Sequence, residues 1–228
     1  MKRVEAVPST VDIVRQLRHD GRVWLRGAVE AEERAALLRL CEGEDRPGNR
    51  VSAGTPLFEA VRNATFSQTI ARAWPGARPV RLVSFGKGAT DGPQWTLPWH
   101  QDWMIAVAKR EPVCTNWTRK GGQWHCEPPV ETLRTMLFVR VHLDDSTIEN
   151  GTMEIAPGSH HGIVPGDRVD AMVAACGTEA TVAAADDVLI LPMLTLHRSL
   201  PSRTRGLRRV LRIDYATGGP PAPLRWAA

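Results

Sequence analysis

The sequence predicts an α+β fold of mainly β character, with a helical N-terminal part followed by strands arranged as a sandwich or barrel. Three observations carry this. The first third holds capped stretches with apolar residues at helical spacing. From residue 78 onward, short β-branched and aromatic runs alternate with Gly- and Pro-rich turns. A chain of 228 residues, 43% of them apolar, can build one sizeable core but not two comfortable domains. The expected organisation is a single domain over 1–228, with 1–77 mainly helical and 78–228 the β core.

The helices come first. "STVDIVRQLRHDG" opens on cap residues and stops at Gly21. "EAEERAALLRLCEG" places acids early, sets Leu37, Leu38 and Leu40 on an apolar stripe and has Gly43 after it. "RVWLRGAV" between them reads as a short strand. "LFEAVRNATFSQTIARAWPG" is a third helical stretch with room for a break, ending at Pro75-Gly76. The strands follow: "RPVRLVSFG", "TLRTMLFVRVHLDD", "TMEIAPGSH", "DDVLILPMLTLH" and "RRVLRIDYA". Between the first two lies "KREPVCTNWTRKGGQWHCEPPVE", the longest connection. Loops of this length are usually functional or disordered. Trp117 and Trp124 favour a folded lid, spanning about 108–130.

Composition excludes several classes. No run of about 18 apolar residues is present to span a membrane, and the N-terminus lacks the apolar core of a secretory signal. A cytoplasmic protein is expected. The four cysteines, Cys41, Cys114, Cys126 and Cys176, are irregularly spaced, which argues against a disulfide framework. Cys114, His125 and Cys126 lack the paired spacing of a zinc site. The net charge is +4, with acids and bases interspersed except in "HRSLPSRTRGLRRVLR", residues 197–212, where arginines crowd without an acid. Three readings compete for that stretch: a solvated loop, a nucleic-acid patch, or a pocket that holds carboxylates. Nucleic-acid patches more often interleave lysine and aromatics. Arginine forks suit carboxylates.

"LPWHQDWMIAV" sets His100 and Asp102 one residue apart in apolar company. Residues i and i+2 of a strand point the same way, so the two side chains can face one ion. "VRVHLDDS" holds a second such pair, His142 and Asp144. Either pair needs another histidine to complete the two-histidine, one-carboxylate face that holds Fe(II) and leaves positions open. His197, closing "VLILPMLTLH", is the candidate. His160 and His161, after Pro157-Gly158-Ser159, compete from a turn.

Four motifs in order carry a resemblance to a known family. "WHQD" at 99–102, "NGTMEIAPGSHHG" at 150–162, "HRS" at 197–199 and Arg208, eleven residues after His197, resemble the phytanoyl-CoA dioxygenase-type Fe(II)/2-oxoglutarate oxygenases. The order of motifs selects His100/Asp102 over His142/Asp144, which stands too close to Asn150. The resemblance implies a double-stranded β-helix, a distorted cupin-like jelly roll with flanking helices. It implies Fe(II) held by His100, Asp102 and His197, with 2-oxoglutarate as cosubstrate and O2 as oxidant. Arg208 would grip the distal carboxylate, helped by Ser199. Asp186-Asp187 departs from the family's usual Gly-Asp. Family members that halogenate lack the metal carboxylate, so Asp102 implies hydroxylation or a related oxidation, with release of succinate and CO2.

Strand periodicity extends the site. Arg208, Val210 and Arg212 share one face, with Arg209 on the other; Arg140 shares a face with His142. If Arg140 and Arg212 both face inward, the small-molecule substrate is an anion. Gln94 and Trp95 are placed to touch cosubstrate or substrate, and Trp117 to touch substrate from the lid. The alternatives are a cupin-like dioxygenase that does not use 2-oxoglutarate, a jelly-roll ligand-binding protein and, most weakly, a nucleic-acid binder.

Overall fold

The computed structural model describes residues 9–41, 48–88, 95–204 and 206–228. The N-terminal part runs α1 (Thr10–Asp20), β1 (Val23–Leu25), α2 (Ala31–Leu40), β2 (Asn49–Val51), α3 (Pro56–Asn63) and α4 (Thr65–Ala73). The remainder runs β3 (Arg78–Lys87), β4 (Leu97–His100), β5 (Ile105–Val107), β6 (Thr115–Lys120), β7 (Gln123–Glu127), α5 (Val130–Arg134), β8 (Met136–His142), β9 (Met153–Ile155), α6 (Val169–Cys176), β10 (Glu179–Ala180), β11 (Val188–Pro192), β12 (His197–Ser199) and β13 (Arg208–Ala216).

Local chemistry explains the helix ends. The Ser9 side chain accepts from the Asp12 amide, and Gly21 closes α1 with φ 66°. The third helical stretch is indeed broken: Ala64 leaves the helical region (ψ 149°) between α3 and α4. Gly43 lies outside the described residues; α2 ends at Leu40, with Cys41 as its C-cap.

The strands form a six-stranded sheet in the order β1-β11-β8-β13-β3-β2 and a four-stranded sheet in the order β10-β9-β12-β4. Every pairing is antiparallel. The large sheet is covered on both sides, so β8 is buried at all seven positions rather than alternating. Val139, Val141, Leu211, Ile213 and Tyr215 pack with Ile13, Phe58, Phe66 and Ile70 of the helices. Their strand neighbours Phe138, Arg140, Arg212 and Asp214 point the other way. That inner face, opposed to the small sheet, is where the charges collect.

Three expectations need correction. The segment 108–130 is not a loop throughout: its β6 and β7 form a hairpin that joins β5 in a third antiparallel sheet. Gly121 and Gly122, at φ 58° and 78°, make the two-residue turn between Lys120 and Gln123. That is the I′ geometry a Gly-Gly pair permits, and "KGG" between β-prone runs is the signal that was available. "TLRTMLFVRVHLDD" is not all strand, because Val130–Arg134 is helical before β8 starts at Met136. "DDVLILPMLTLH" breaks after Pro192, and His197 opens β12 instead of closing a longer strand. Proline cannot donate to a ladder, so a central strand ends there. Among the described residues, no helix is long and apolar enough to cross a membrane.

Candidate metal centre and its basic cavity

His100 ends β4 and His197 begins β12; the two are cross-strand partners, with ring centroids 4.3 Å apart. Each Nδ1 lies against a main-chain carbonyl two residues earlier: Pro98 O at 2.8 Å for His100 and Thr195 O at 2.9 Å for His197. A carbonyl only accepts, so each Nδ1 donates to it and each ring turns its Nε2 to the triad, that of His197 lying 3.2 Å from Asp102 Oδ2. Asp102 completes the group. One ligand atom from each of the three residues lies within 4.8 Å of the others, the one such histidine–carboxylate cluster among the described residues.

The charges suit a cation. Burial lowers the His100 pKa, and His197 adds to the effect, so the imidazole is neutral. For Asp102 burial works against ionisation, but Arg212 above all, then His197 and Arg81, outweigh it and hold the carboxyl well below its ordinary value. Arg212 grips Asp102 through Nη1 and Asp214 through Nε at 2.9 Å. Two imidazoles and one ionised carboxylate on one face fit an iron site with open positions.

Gln101, between the two candidate ligands of "WHQD", faces away from them and is 4% exposed. Its Nε2 donates to Leu194 O (2.6 Å) and Gly162 O (2.9 Å), and its Oε1 accepts from the Val164 amide (2.8 Å). It staples the segment carrying His100 and Asp102 to the chain just before His197. Sequence reasoning missed this role. Ser159 of the "PGSH" block makes a related tie, donating to Ala156 O (2.6 Å) and accepting from the Leu196 amide (2.8 Å).

A cavity of about 330 Å³ opens at the triad. Its apolar wall includes Phe85, Trp95, Leu97, Phe138 and Met153. Neither Trp99 nor Trp103 belongs to that wall. Trp99 packs toward Ala156, Val164 and Leu196, and Trp103 is exposed. Two larger clefts, of about 610 and 600 Å³, lie at α1 and beside α6, away from the triad.

At one end of the cavity Ser199 accepts from Lys87 Nζ at 2.9 Å. Lys87 also donates to Leu200 O and Gly151 O and lies over the Trp95 ring. Arg208 is the cross-strand neighbour of Lys87 and donates to Gly151 O at 3.1 Å. The "NG" of the sequence motif thereby gains a reason. Asn150 caps its own loop, accepting from the Thr147 amide (2.8 Å) and donating to Asp145 O (2.8 Å). Gly151, at φ +74°, passes so close to Leu200 O that a Cβ would sit 2.7 Å from it. Lys87, buried and unremarked in the sequence, has its pKa pushed down to about 8 by burial and by Arg208 and Arg140. Burial and the arginine neighbours likewise push Arg140 down to about 9, and burial pushes Arg208 down to about 10.

The structure therefore brings together His100, Asp102, His197, Ser199, Arg140 and Arg212 around one cavity. Arg208 lies one layer back, with Lys87. Trp117 does not join them: it packs edge-on to Trp124 (centroids 6.4 Å) and donates to Cys114 O. Gln94 lies outside the described residues. His142 is buried beside Trp24, Asp144 holds Arg209, and His160 and His161 occupy a 3₁₀ turn, so none joins the triad. Asp186 takes φ 79°, the left-handed conformation a glycine would adopt there, and Asp187 accepts from the Gly27 amide and from Arg26.

A two-histidine, one-carboxylate face at the mouth of a jelly-roll cavity defines the class of non-haem metal oxygenases. The Phytanoyl-CoA dioxygenase (PhyH) profile matches residues 17–210, and the chain belongs to that family, within the Fe(II)/2-oxoglutarate-dependent oxygenase superfamily. Several solved structures share the fold. AviO1 from Streptomyces viridochromogenes Tue57 has a TM-score of 0.66 at 19% identity, over 95% of this chain and 99% of AviO1. SnoN, a non-heme alpha ketoglutarate dependent epimerase from nogalamycin biosynthesis, has 0.64 at 17%, over 90% and 81%. HygX from Streptomyces hygroscopicus, solved with nickel and 2-oxoglutarate bound, has 0.61 at 15%, over 92% and 87%. No curated protein sequence matches the chain.

Proposed function

We propose that this protein is an Fe(II)- and 2-oxoglutarate-dependent dioxygenase that hydroxylates or otherwise oxidises a small organic molecule. The observation that carries the reading is the tautomer-locked pair His100 and His197, facing an ionised Asp102 at an open cavity. These three would hold the iron. Bound there with 2-oxoglutarate, iron supplies O2 activation coupled to loss of CO2 and formation of succinate. The chain's own residues orient and shield. Ser199, Arg208 and Lys87 form a basic end suited to the distal carboxylate of the cosubstrate. Arg212 positions Asp102 and, with Arg140, lines the space left for substrate. Phe138 packs edge-on to His197, with centroids 4.9 Å apart, and keeps that side dry. Asp102 supports oxygen insertion over halogenation, since a halogenating site would need that ligand position free. Four free thiols, three of them buried, suit a reducing cytoplasmic setting.

The test is anaerobic titration of the metal-free protein with Fe(II) and 2-oxoglutarate, following the visible charge-transfer band of the chelate. A band that requires both additions, and that weakens in Asp102→Ala and Arg208→Ala, is the expected outcome. Iron binding with no response to 2-oxoglutarate would favour a cupin-like dioxygenase. No metal binding by folded protein would overturn the reading.

A further inference from the structure

The cavity holds more positive charge than iron and cosubstrate can use. Arg50, Arg212 and Arg140 lie in one cross-strand row of the large sheet, connected through Val83: Arg50 pairs with Val83, Val83 with Arg212, and Arg212 with Arg140. Like charges directly opposite one another are unfavourable unless something sits between them. Arg81 projects from the same face of β3 and lines the cavity with them. With Lys87 and Arg208 one layer back, the large sheet alone brings six cations to this region. The carboxylates that meet them are Asp102 and Asp214. Asp144, near Arg208, is already held by Arg209.

Hydrogen bonding points the same way. Arg140 is 8% exposed, and no carboxylate pairs with it among the described residues. Among the described residues, the Nε atoms of Arg50, Arg81, Arg140 and Arg208 and the Nη2 of Arg212 are buried without a partner. Buried cations left in this state are costly. A divalent ion adds two positive charges and dianionic 2-oxoglutarate removes two, so the surplus of four remains after both are bound.

The cosubstrate cannot serve the whole row. Arg81 stands six residues from Lys87 along β3, about 20 Å at the rise of a strand, and a five-carbon diacid chelated at the triad and anchored near Ser199 is far shorter. Arg50, which no carboxylate meets among the described residues, and the unpartnered Nε of Arg81, whose Nη1 is held by Asp214, are left for a second ligand. The β6–β7 hairpin closes over that place: a Cβ on Gly121 would lie 3.2 Å from the Arg50 Cβ, and Lys120 lines the cavity.

We propose that the substrate is a small organic oxyanion, a carboxylate or a phosphate ester, whose charged group is held by Arg50 and Arg81 under the hairpin tip while the bond to be oxidised faces the triad. This inference rests on the oxygenase reading, and its test separates the two. Protein loaded with Ni(II) and 2-oxoglutarate is titrated with two matched pairs of probes: benzoate against benzamide, and phenyl phosphate against phenol. Binding is read by calorimetry and by tryptophan fluorescence, on samples whose Fe(II)/2-oxoglutarate chelate band has been recorded. The expected result is binding of one or both anions and not of their neutral partners, weakening as salt is raised. The tighter anion identifies carboxylate or phosphate as the natural group. Arg50→Gln should weaken it about tenfold or more, the scale of one lost charge-assisted hydrogen bond, while keeping the chelate band, and Arg81→Gln should weaken it at least as much. Arg50 is only partly buried, so its variant remains decisive if Arg81→Gln fails to fold. A normal chelate band with no anion binding, with neutral probes binding equally, or with anion binding indifferent to both variants would overturn the inference alone. Absence of the band would remove the oxygenase reading and the substrate assignment with it.

Discussion

The buried lysine at the basic end makes a quantitative prediction. Lys87 is 2% exposed, and its pKa falls from 10.5 to about 8 in the folded protein. Below pH 8 the ammonium is charged in both folded and unfolded chains, and the folded state bears the full cost of burying it. Between about pH 8 and 10.5 the unfolded chain still carries a proton that the folded chain has released. Stability therefore rises with pH across that window. A pKa difference of about 2.5 corresponds to about 3 kcal/mol. Urea denaturation of metal-free wild type and Lys87→Met at several pH values from 7.5 to 10.5 isolates the contribution. Wild type should gain about 3 kcal/mol more than the variant over the window. A carboxylate bound beside Lys87 restores its charge, so 2-oxoglutarate binding at about pH 9 should take up a proton in wild type and not in Lys87→Met. Calorimetry in two buffers of different ionisation enthalpy measures that. Parallel stability curves for the two proteins, or equal proton uptake, would refute the assignment of a depressed Lys87.

Other predictions concern the supports of the site. Gly151→Ala forces a Cβ against Leu200 O and the Ser202 amide at a φ of +74°; a loss of about 2–5 kcal/mol is expected from left-handed strain and overpacking together, seen as a lower Tm and weaker 2-oxoglutarate binding. Gln101→Leu strands two carbonyls and one amide, which should cost about 3 kcal/mol or more and lower Fe(II) affinity although no ligand is changed; unaltered metal affinity would argue against its positioning role. Replacing Gly121-Gly122 by Ala-Ala places two L-residues at positive φ, at about 1–2 kcal/mol each, and should loosen the hairpin over Arg50, detected by faster local hydrogen exchange in β6 and β7.

The sequence by itself determined the local parts. Ser9 and Gly21 bound the first helix, the arginine-bearing strand over 208–216 alternates as its period requires, and His100 and Asp102 stand at the spacing that puts both on one side of a strand, the pair that the family resemblance selects. Their signals are short-ranged: cap chemistry, period two and motif spacing all lie within a few residues. The hairpin in 108–130 was legible too, in Gly121-Gly122, but its length and tryptophans suggested a lid loop.

Tertiary structure decided what depends on distant strands. Lys87 is an unremarkable strand residue until β13 sets Arg208 beside it and Gly151 turns a carbonyl toward both. Gln101 looks like a spacer until chain 61 to 93 residues away supplies Gly162, Val164 and Leu194 as its partners. The row of Arg50, Arg212 and Arg140 comes from three strands that are adjacent only through sheet register. Charge density in a cavity is a sum over elements far apart in the chain, and burial sets its cost. Neither quantity exists until the sheet closes.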